Sequence, residues 1–412
     1  MDPRHGLCGG GGGRFAAGRR SRAGRAQAPG PRELTYFLLG AGAFLALYLP
    51  QPILALLDHD FHTNPAVTGL TMTAGLLGFA VSGLLPEGDP VRTMRQAMWL
   101  VVVSSAIAAL SPHFVVLLLA RAGQGVGVGL LVAGGLADIA RHHPASRGGR
   151  LTGSLIGGTA IGGLLSRATG YSALWLGWRA AFAIGGLLAL ALVSLALNRL
   201  TRTAADAGRT EVVSPPEGGA APLGLVLAGL GILFVNIAVF DLLPYRLAAA
   251  PFHLPTAVAD LVYLAFVPAL LTAGLAGRAI DRFGARAIVL VTVVAGISCL
   301  LIGLLPALLA VAVMATGSIS GAVALHTSHS GAAAARGRVA VGRYLAAYYV
   351  GGALAAPVAA AAYQAWGWAG AVLPLCAAWG LVGVLALFSP SSRWRRESGP
   401  GAPPLEPVPA AP

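Results

Sequence analysis

The segment "LLLARAGQGVGVG", residues 117–129, sets one arginine in a run of apolar and small residues. Between Arg95 and Asp138, Arg121 is the only Asp, Glu, Lys or Arg. A helix that crosses a bilayer takes about 20 apolar residues, and the stretch around Arg121, 113–139, is long enough. It is not alone. Similar stretches lie at 34–57, 66–86, 95–111, 151–171, 178–198, 223–248, 257–277, 285–305, 307–331, 343–363 and 369–388, which makes twelve. Their length, and their richness in Leu, Ala, Val and Gly, read as helices. Barrel strands would be shorter and alternating.

Composition points the same way. The chain has 412 residues, of which 56% are hydrophobic and 10% charged, far from the balance of a water-soluble domain. The net charge of +13 raises nucleic acid as a partner, but the placement of the charge argues against it. Lysine is absent, and 24 of the 28 arginines fall in the tails and in alternate loops. Such asymmetry follows the positive-inside rule and predicts both termini in the cytoplasm, with the protein in the cytoplasmic membrane. The exceptions are Arg121 itself, and Arg167, Arg179 and Arg246 near expected outer helix ends. Cys8, Cys299 and Cys376 are far apart and read as small apolar fillers, neither disulfide nor metal ligands.

The polar stretch 199–222 divides the chain into six helices plus six. Residues 1–33 read as a flexible cytoplasmic N-tail, 34–198 as an N-terminal six-helix bundle, 199–222 as a cytoplasmic linker, 223–388 as a C-terminal six-helix bundle and 389–412 as a cytoplasmic C-tail. The halves echo each other. "FHTNPAV" at 61–67 returns as "FHLPTAV" at 252–258, and "IGGTAIGG" at 156–163 as "VGGALAAP" at 350–357. A Gly-Trp pair follows each, at Gly177-Trp178 and Gly367-Trp368, and Gly123 and Gly127 map to Gly317 and Gly321. An even number of helices per repeat keeps both halves in one orientation. That is the parallel repeat of transporters whose substrate site lies between the halves near mid-membrane.

The motifs carry a resemblance. "GRAIDRFGAR", with Gly277, Asp281, Arg282, Gly284 and Arg286, resembles the loop signature of the major facilitator superfamily, and "GLLPEGDPVR" is its degraded first copy, keeping Gly83, Glu87 and Arg92. "RAGQG" resembles the R-x-x-Q-G motif of proton-coupled exporters in that superfamily. "SLIGGTAIGGLLSR", "GWRAAF", "LLPYRLAAAPFHL" and "YYVGGALAAPVAAAAYQAWGW" are similar to the bacterial arabinose-efflux-like permeases. The resemblance covers nearly all of 34–390. It implies an all-α, twelve-helix major facilitator fold and a monomeric secondary transporter in the lipid bilayer, moving a small molecule by alternating access, most simply as proton-coupled efflux. It implies no cofactor and no metal. A proton-coupled importer shares every motif, and a transporter-like sensor without flux is the reading from another class. An enzyme or ATP-driven pump is disfavoured, because HExxH, GxSxG and Walker sequences are missing.

The same resemblance makes the first helix of each triplet line the cavity. Candidates there for substrate and proton coupling are Tyr48 and Gln51, Arg121 and Gln124, Asp241, and His326 with His329. The expected switch loop is Gly277, Asp281, Arg282, Gly284 and Arg286, with Glu87 in the first copy. Each has a plainer reading: interface aromatic for Tyr48, structural histidine for His326, loop geometry for the switch residues. Gly153, Gly157, Gly158, Gly162 and Gly163 read as one packing face, and Pro50, Pro52 and Pro244 as kinks. Asp138 is expected to be solvated or to pair with Arg141.

Arg121 stands apart because its repeat partner is Ala315, so the scaffold is duplicated and the charge is not. A charge in lipid costs at least about 2.5 kcal/mol and needs a wet cavity or a partner. Arginine does not release its proton, so an acid must carry it, and Asp241 is the one carboxylate well inside an expected span. Arg121 and Asp241 each lie roughly 11–12 Å below the outer surface at 1.5 Å per residue. The expectation is that they share the central cavity, paired directly or through water or substrate.

Overall fold

Lipid offers no water to backbone N–H and C=O groups, so apolar stretches this long must close their hydrogen bonds internally. In the computed structural model they do. The structure describes residues 31–83, 85, 88–143, 145–206, 221–334, 336 and 338–388, and among these there is no strand. The helices are α1 (Pro31–Tyr48), α2 (Leu54–Phe61), α3 (Pro65–Thr68), α4 (Leu70–Ser82), α5 (Pro90–Ala109), α6 (Phe114–His142) and α7 (Ala145–Tyr171). They continue as α8 (Ala173–Asp206), α9 (Leu223–Ala248), α10 (Thr256–Ala259), α11 (Phe266–Phe283), α12 (Ala285–Ile302), α13 (Leu308–Ala334) and α14 (Arg338–Phe388). Short 3-10 segments occupy Gln51–Ile53 and Asp260–Ala265.

Among the described residues each expected stretch is mostly helical, with turns or 3-10 segments at 49–53, 110–111, 260–265 and 303–305. Eight helices among the described residues are long and apolar enough to cross a membrane, with the first running through its break to Phe61 and the 50-residue Val339–Phe388 counted as one. The others fall short for visible reasons: Arg92 and Arg95 sit in α5, Arg278, Asp281 and Arg282 in α11, and α7 is diluted by Gly, Ser and Thr. The expected N-tail is outside the described residues up to residue 30, as are 207–220 of the linker and the C-tail. Helix α8 continues to Asp206, eight residues into the stretch read as linker from 199.

The repeat is visible in backbone geometry. Gly177 (φ 79°) and Gly367 (φ 67°) each break a long helix just before a Trp. A Cβ at such a φ is strained, so glycine is required at both bends. His62 (φ 51°) and His253 (φ 48°), from the repeated "FH" pair, are the matching left-handed non-glycine residues. In the first half α1 packs on α7 and α8, α4 and α5 pack on α6, and α5 packs on α8. In the second, α9 and α12 pack on α14, and α11 and α12 on α13.

The closest approaches repeat too. A Cβ on Gly158 would lie 2.1 Å from the Phe37 carbonyl oxygen, and one on Gly351 would lie 1.9 Å from that of Leu230. Both contacts are offset by 193 residues. The glycines of α7 do not form one packing face: Gly158 and Gly162 meet α1, whereas Gly153 and Gly157 have no heavy atom within 4 Å.

The halves meet chiefly along α4 and α14, which run antiparallel. Gly69 faces Ala356, the Thr73 hydroxyl donates to the Ala353 carbonyl at 2.6 Å, Leu76 meets Gly352, and the Phe79 and Tyr349 rings stack at 3.7 Å. At the loop of the signature sequence, Gly284 (φ 85°) turns the chain between α11 and α12, and the Arg286 guanidinium donates to the Leu387 carbonyl at 2.7 Å. Arg282 lies over the Phe283 ring at 5.1 Å, and no heavy atom stands within 4 Å of the Cβ position of Gly277. Glu87 and the side chain of Asp281 lie outside the described residues.

Candidate functional site

Proline breaks the first transmembrane segment. Pro50 has no N–H, so the Ala46 carbonyl four residues back loses its helical donor, and α1 stops at Tyr48. Arg121 fills that gap. Its Nη1 donates to Ala46 O at 3.1 Å and to Gln124 Oε1, its Nη2 to Leu47 O at 2.6 Å, and its Nε to Thr71 O at 3.3 Å. Gln124 passes the network on, donating to Ser105 Oγ at 2.7 Å. Both side chains are buried. Arg121 therefore fastens the interrupted α1 to α4 and α6, and none of its hydrogen bonds leaves the first half. The expected meeting of Arg121 with Asp241 does not occur, because backbone carbonyls freed by the break are nearer and take its donors.

Asp241 has other partners. It sits near the end of α9, one turn before Pro244, through which α9 runs unbroken. Gln51, in the 3-10 turn after Pro50, donates from Nε2 to Asp241 Oδ1 at 2.7 Å. The Gln51 Oε1 accepts from Arg167 Nη2 on α7. Arg167 also donates to Gly163 O at 2.6 Å and Ser166 Oγ at 3.0 Å. The Tyr263 hydroxyl donates between the carbonyl oxygens of Gln51 and Phe240, at 3.1 and 3.2 Å. One buried chain, Arg167–Gln51–Asp241, thus joins a guanidinium on the first half to a carboxyl group on the second. Three rings cover the cation: Tyr48 at 5.2 Å, Tyr263 at 5.3 Å and Phe266 at 4.3 Å from its central carbon, a favourable arrangement for a desolvated guanidinium.

From Tyr48 an aromatic run crosses between the halves. Ring centroids are 5.6 Å apart for Tyr48–Phe44, 6.1 Å for Phe44–Phe79, 3.7 Å for Phe79–Tyr349 and 5.3 Å for Tyr349–Tyr348. It ends at His326, 4.4 Å from Tyr348, whose Nδ1 lies 2.9 Å from the Tyr344 hydroxyl. His329 is turned to its own helix, Nδ1 on Leu325 O at 2.8 Å. At the far end of α6, Asp138 is buried rather than solvated. It accepts from the Tyr36 hydroxyl at 2.6 Å and lies 2.9 Å from His142 Nδ1, which ties the start of α1 to the end of α6.

Of the sequence candidates, Gln51, Asp241 and Tyr48 come together; Arg121 and Gln124 form a separate network, and His326 is linked only through the aromatic run. Arg167 and Tyr263 were missed. Arg167 fitted a helix-end arginine, yet it carries the sign that singled out Arg121: its repeat position, 193 on as for Gly158 and Gly351, is Ala360.

The profile of the Major Facilitator Superfamily matches residues 36–244, half of the chain. The chain belongs to that superfamily. It is 24% identical over 270 residues to the uncharacterized MFS-type transporter YybF of Bacillus subtilis, covering 61% of this chain and 66% of that protein. It is 26% identical over 266 residues to the inner membrane transport protein YnfM of Escherichia coli, covering 61% and 63%. The chain thus matches just under two thirds of the length of these two relatives. A probable transporter of Streptomyces coelicolor is 27% identical over 372 residues, 82% of each chain. Among solved structures, the occupied inward-facing form of a bacterial homolog of the human lysosomal transporter Spinster superposes with a TM-score of 0.62 at 16% identity, over 86% of this chain and 93% of that one. The likeness is one of fold. The described residues thus have the multi-helix membrane fold of that superfamily.

Proposed function

We propose that the chain exports a small molecule across the cytoplasmic membrane in exchange for protons, by alternating access, as a monomer. Both termini and the linker at 199–222 face the cytoplasm in this reading, and the bundles at 34–198 and 223–388 are the moving bodies. The switch loop at Gly277–Arg286 sets the rate of rearrangement. The observation that carries the proposal is the Arg167–Gln51–Asp241 chain, which places opposite charges from the two halves at either end of one carboxamide.

The coupling logic is electrostatic. Ionised, Asp241 accepts a charge-assisted bond from Gln51, whose carbonyl is at the same time held by Arg167. The chain then draws the halves together, and each bond polarises the next. Protonated, Asp241 loses the charge that made the tie strong, and the bridge slackens. Substrate and proton that compete for this carboxylate are exchanged rather than carried together. Arg121 has a structural part in this scheme, holding the turn that presents Gln51.

The test is proton-driven uptake into everted membrane vesicles, screened with a panel of solutes in wild type and in Asp241→Asn. Wild type accumulates a solute when the vesicle interior is acidic, and Asp241→Asn loses the gradient dependence. Gradient-driven uptake by Asp241→Asn equal to that of wild type overturns the assignment.

A further inference from the structure

Each charged end of the chain keeps one polar atom that nothing satisfies. Asp241 Oδ2 and Arg167 Nε have no hydrogen-bond partner among the described residues, although the residues are only 3% and 6% exposed. One is a carboxyl oxygen and the other a guanidinium N–H donor. They stand on opposite halves, and between them lies a single neutral group, the Gln51 carboxamide, which accepts from Arg167 and donates to Asp241.

A carboxamide in that position is a weak stand-in for something better matched. Each Gln51 bond is charge-assisted from one side only, whereas an ion pair adds the Coulomb attraction of two unit charges, which is larger in a buried site than in water. A ligand that displaces Gln51 therefore gains most by bringing an anion to Arg167 and a cation to Asp241. Rings cover the guanidinium on Tyr48, Tyr263 and Phe266, so a planar carboxylate approaches along the edge that carries Nε. From Tyr48, which is part-buried, an aromatic run through Phe44 and Phe79 to Tyr349 leads away from the charges, so an apolar or aromatic body attached to the ligand would pack on the Tyr48 end of it.

We infer that the substrate is a small zwitterion of the amino-acid type with an apolar or aromatic side group: its carboxylate on Arg167, its ammonium on Asp241, and Gln51 swung aside. The inference rests on the proposed exchange site and deepens it. An ammonium that needs ionised Asp241 excludes the proton there, so binding of the zwitterion releases a proton from the protonated site.

The experiment uses the purified full-length chain in detergent and three probes: L-phenylalanine, 3-phenylpropanoate, which lacks the ammonium, and phenethylamine, which lacks the carboxylate. Calorimetry is expected to show L-phenylalanine binding at least about tenfold tighter than either analogue, as the loss of one charged contact implies. Binding in weak buffer below neutral pH is expected to release protons. Analogues that bind as well as the zwitterion, or no binding of L-phenylalanine at millimolar concentration, overturn the inference. These probes act on the wild-type protein, so the result does not depend on a variant folding. Loss of gradient-driven flux in Asp241→Asn with no L-phenylalanine binding would sink the substrate class alone; unchanged flux in Asp241→Asn would sink the exchange site.

Discussion

Gln51 and Asp241 lie 190 residues apart in sequence and are joined by a 2.7 Å hydrogen bond across the interface between the two halves. Gln51 owes its position to Pro50, which ends α1, and to Arg121, which holds the carbonyls on the near side of the break. A structural arginine and a candidate coupling site thus share one turn of chain.

Removing Arg121 should show first in stability. Arg121→Ala takes the side-chain donor from the buried carbonyls of Ala46 and Leu47 at the Pro50 break, and each buried group left unpaired costs about 1–3 kcal/mol. Arg121→Lys should not rescue it, because one ammonium cannot reproduce the planar fork that reaches two helices. Thermal unfolding in detergent checks this. A variant with wild-type melting that loses only proton coupling would return Arg121 to the transport site.

The glycine contacts make a paired prediction. Gly158→Ala and Gly351→Ala each drive a methyl into a backbone carbonyl of the neighbouring helix, at 2.1 and 1.9 Å, and should lower stability by about 1–3 kcal/mol, the usual cost of overpacking. Gly157→Ala meets nothing within 4 Å and should be neutral. Equal melting temperatures for Gly157→Ala and Gly158→Ala would contradict the packing described.

These positions show what the sequence discloses. The all-helical character, the two-fold repeat and the break at Pro50 were legible, because burying backbone in lipid leaves long apolar runs, and because a proline has no N–H wherever it stands. Close packing at Gly158 was legible only as a glycine cluster; which glycine faces a neighbour depends on how two helices are rotated against each other. The site was half legible. Asp241, Gln51 and Tyr48 stood out as polar groups in apolar spans, but Arg121 was assigned to Asp241 on depth alone. Depth along a helix says nothing of direction, and carbonyls freed by the break at Pro50 compete for the same donors. Arg167 was overlooked since its place near a helix end already explained a positive charge.

The switch loop should affect rate more than affinity. Gly284→Ala forces a Cβ into φ 85° between α11 and α12, and Asp281→Asn removes the acid of the signature. Both should slow flux while changing ligand affinity less than about threefold, a difference well below 1.4 kcal/mol. Equilibrium binding measured beside initial rates separates the two. Collapsed affinity with unchanged rate would move the loop into the binding site.

Topology can be read with fusions. Reporters placed at Arg209 and after Phe388 should be active only where the reporter works in the cytoplasm, the side that the arginine asymmetry predicts for both. Periplasmic activity from either would reverse the orientation and the direction of export with it.

The central claim, that Arg167 and Asp241 act as one coupled unit through Gln51, is tested most directly by a double-mutant cycle on gradient-driven uptake in everted vesicles. Arg167→Gln and Asp241→Asn are each expected to abolish most of the uptake, and the double variant to be no worse than the poorer single one, because the second change removes a partner already lost. Losses that add in full would contradict the account.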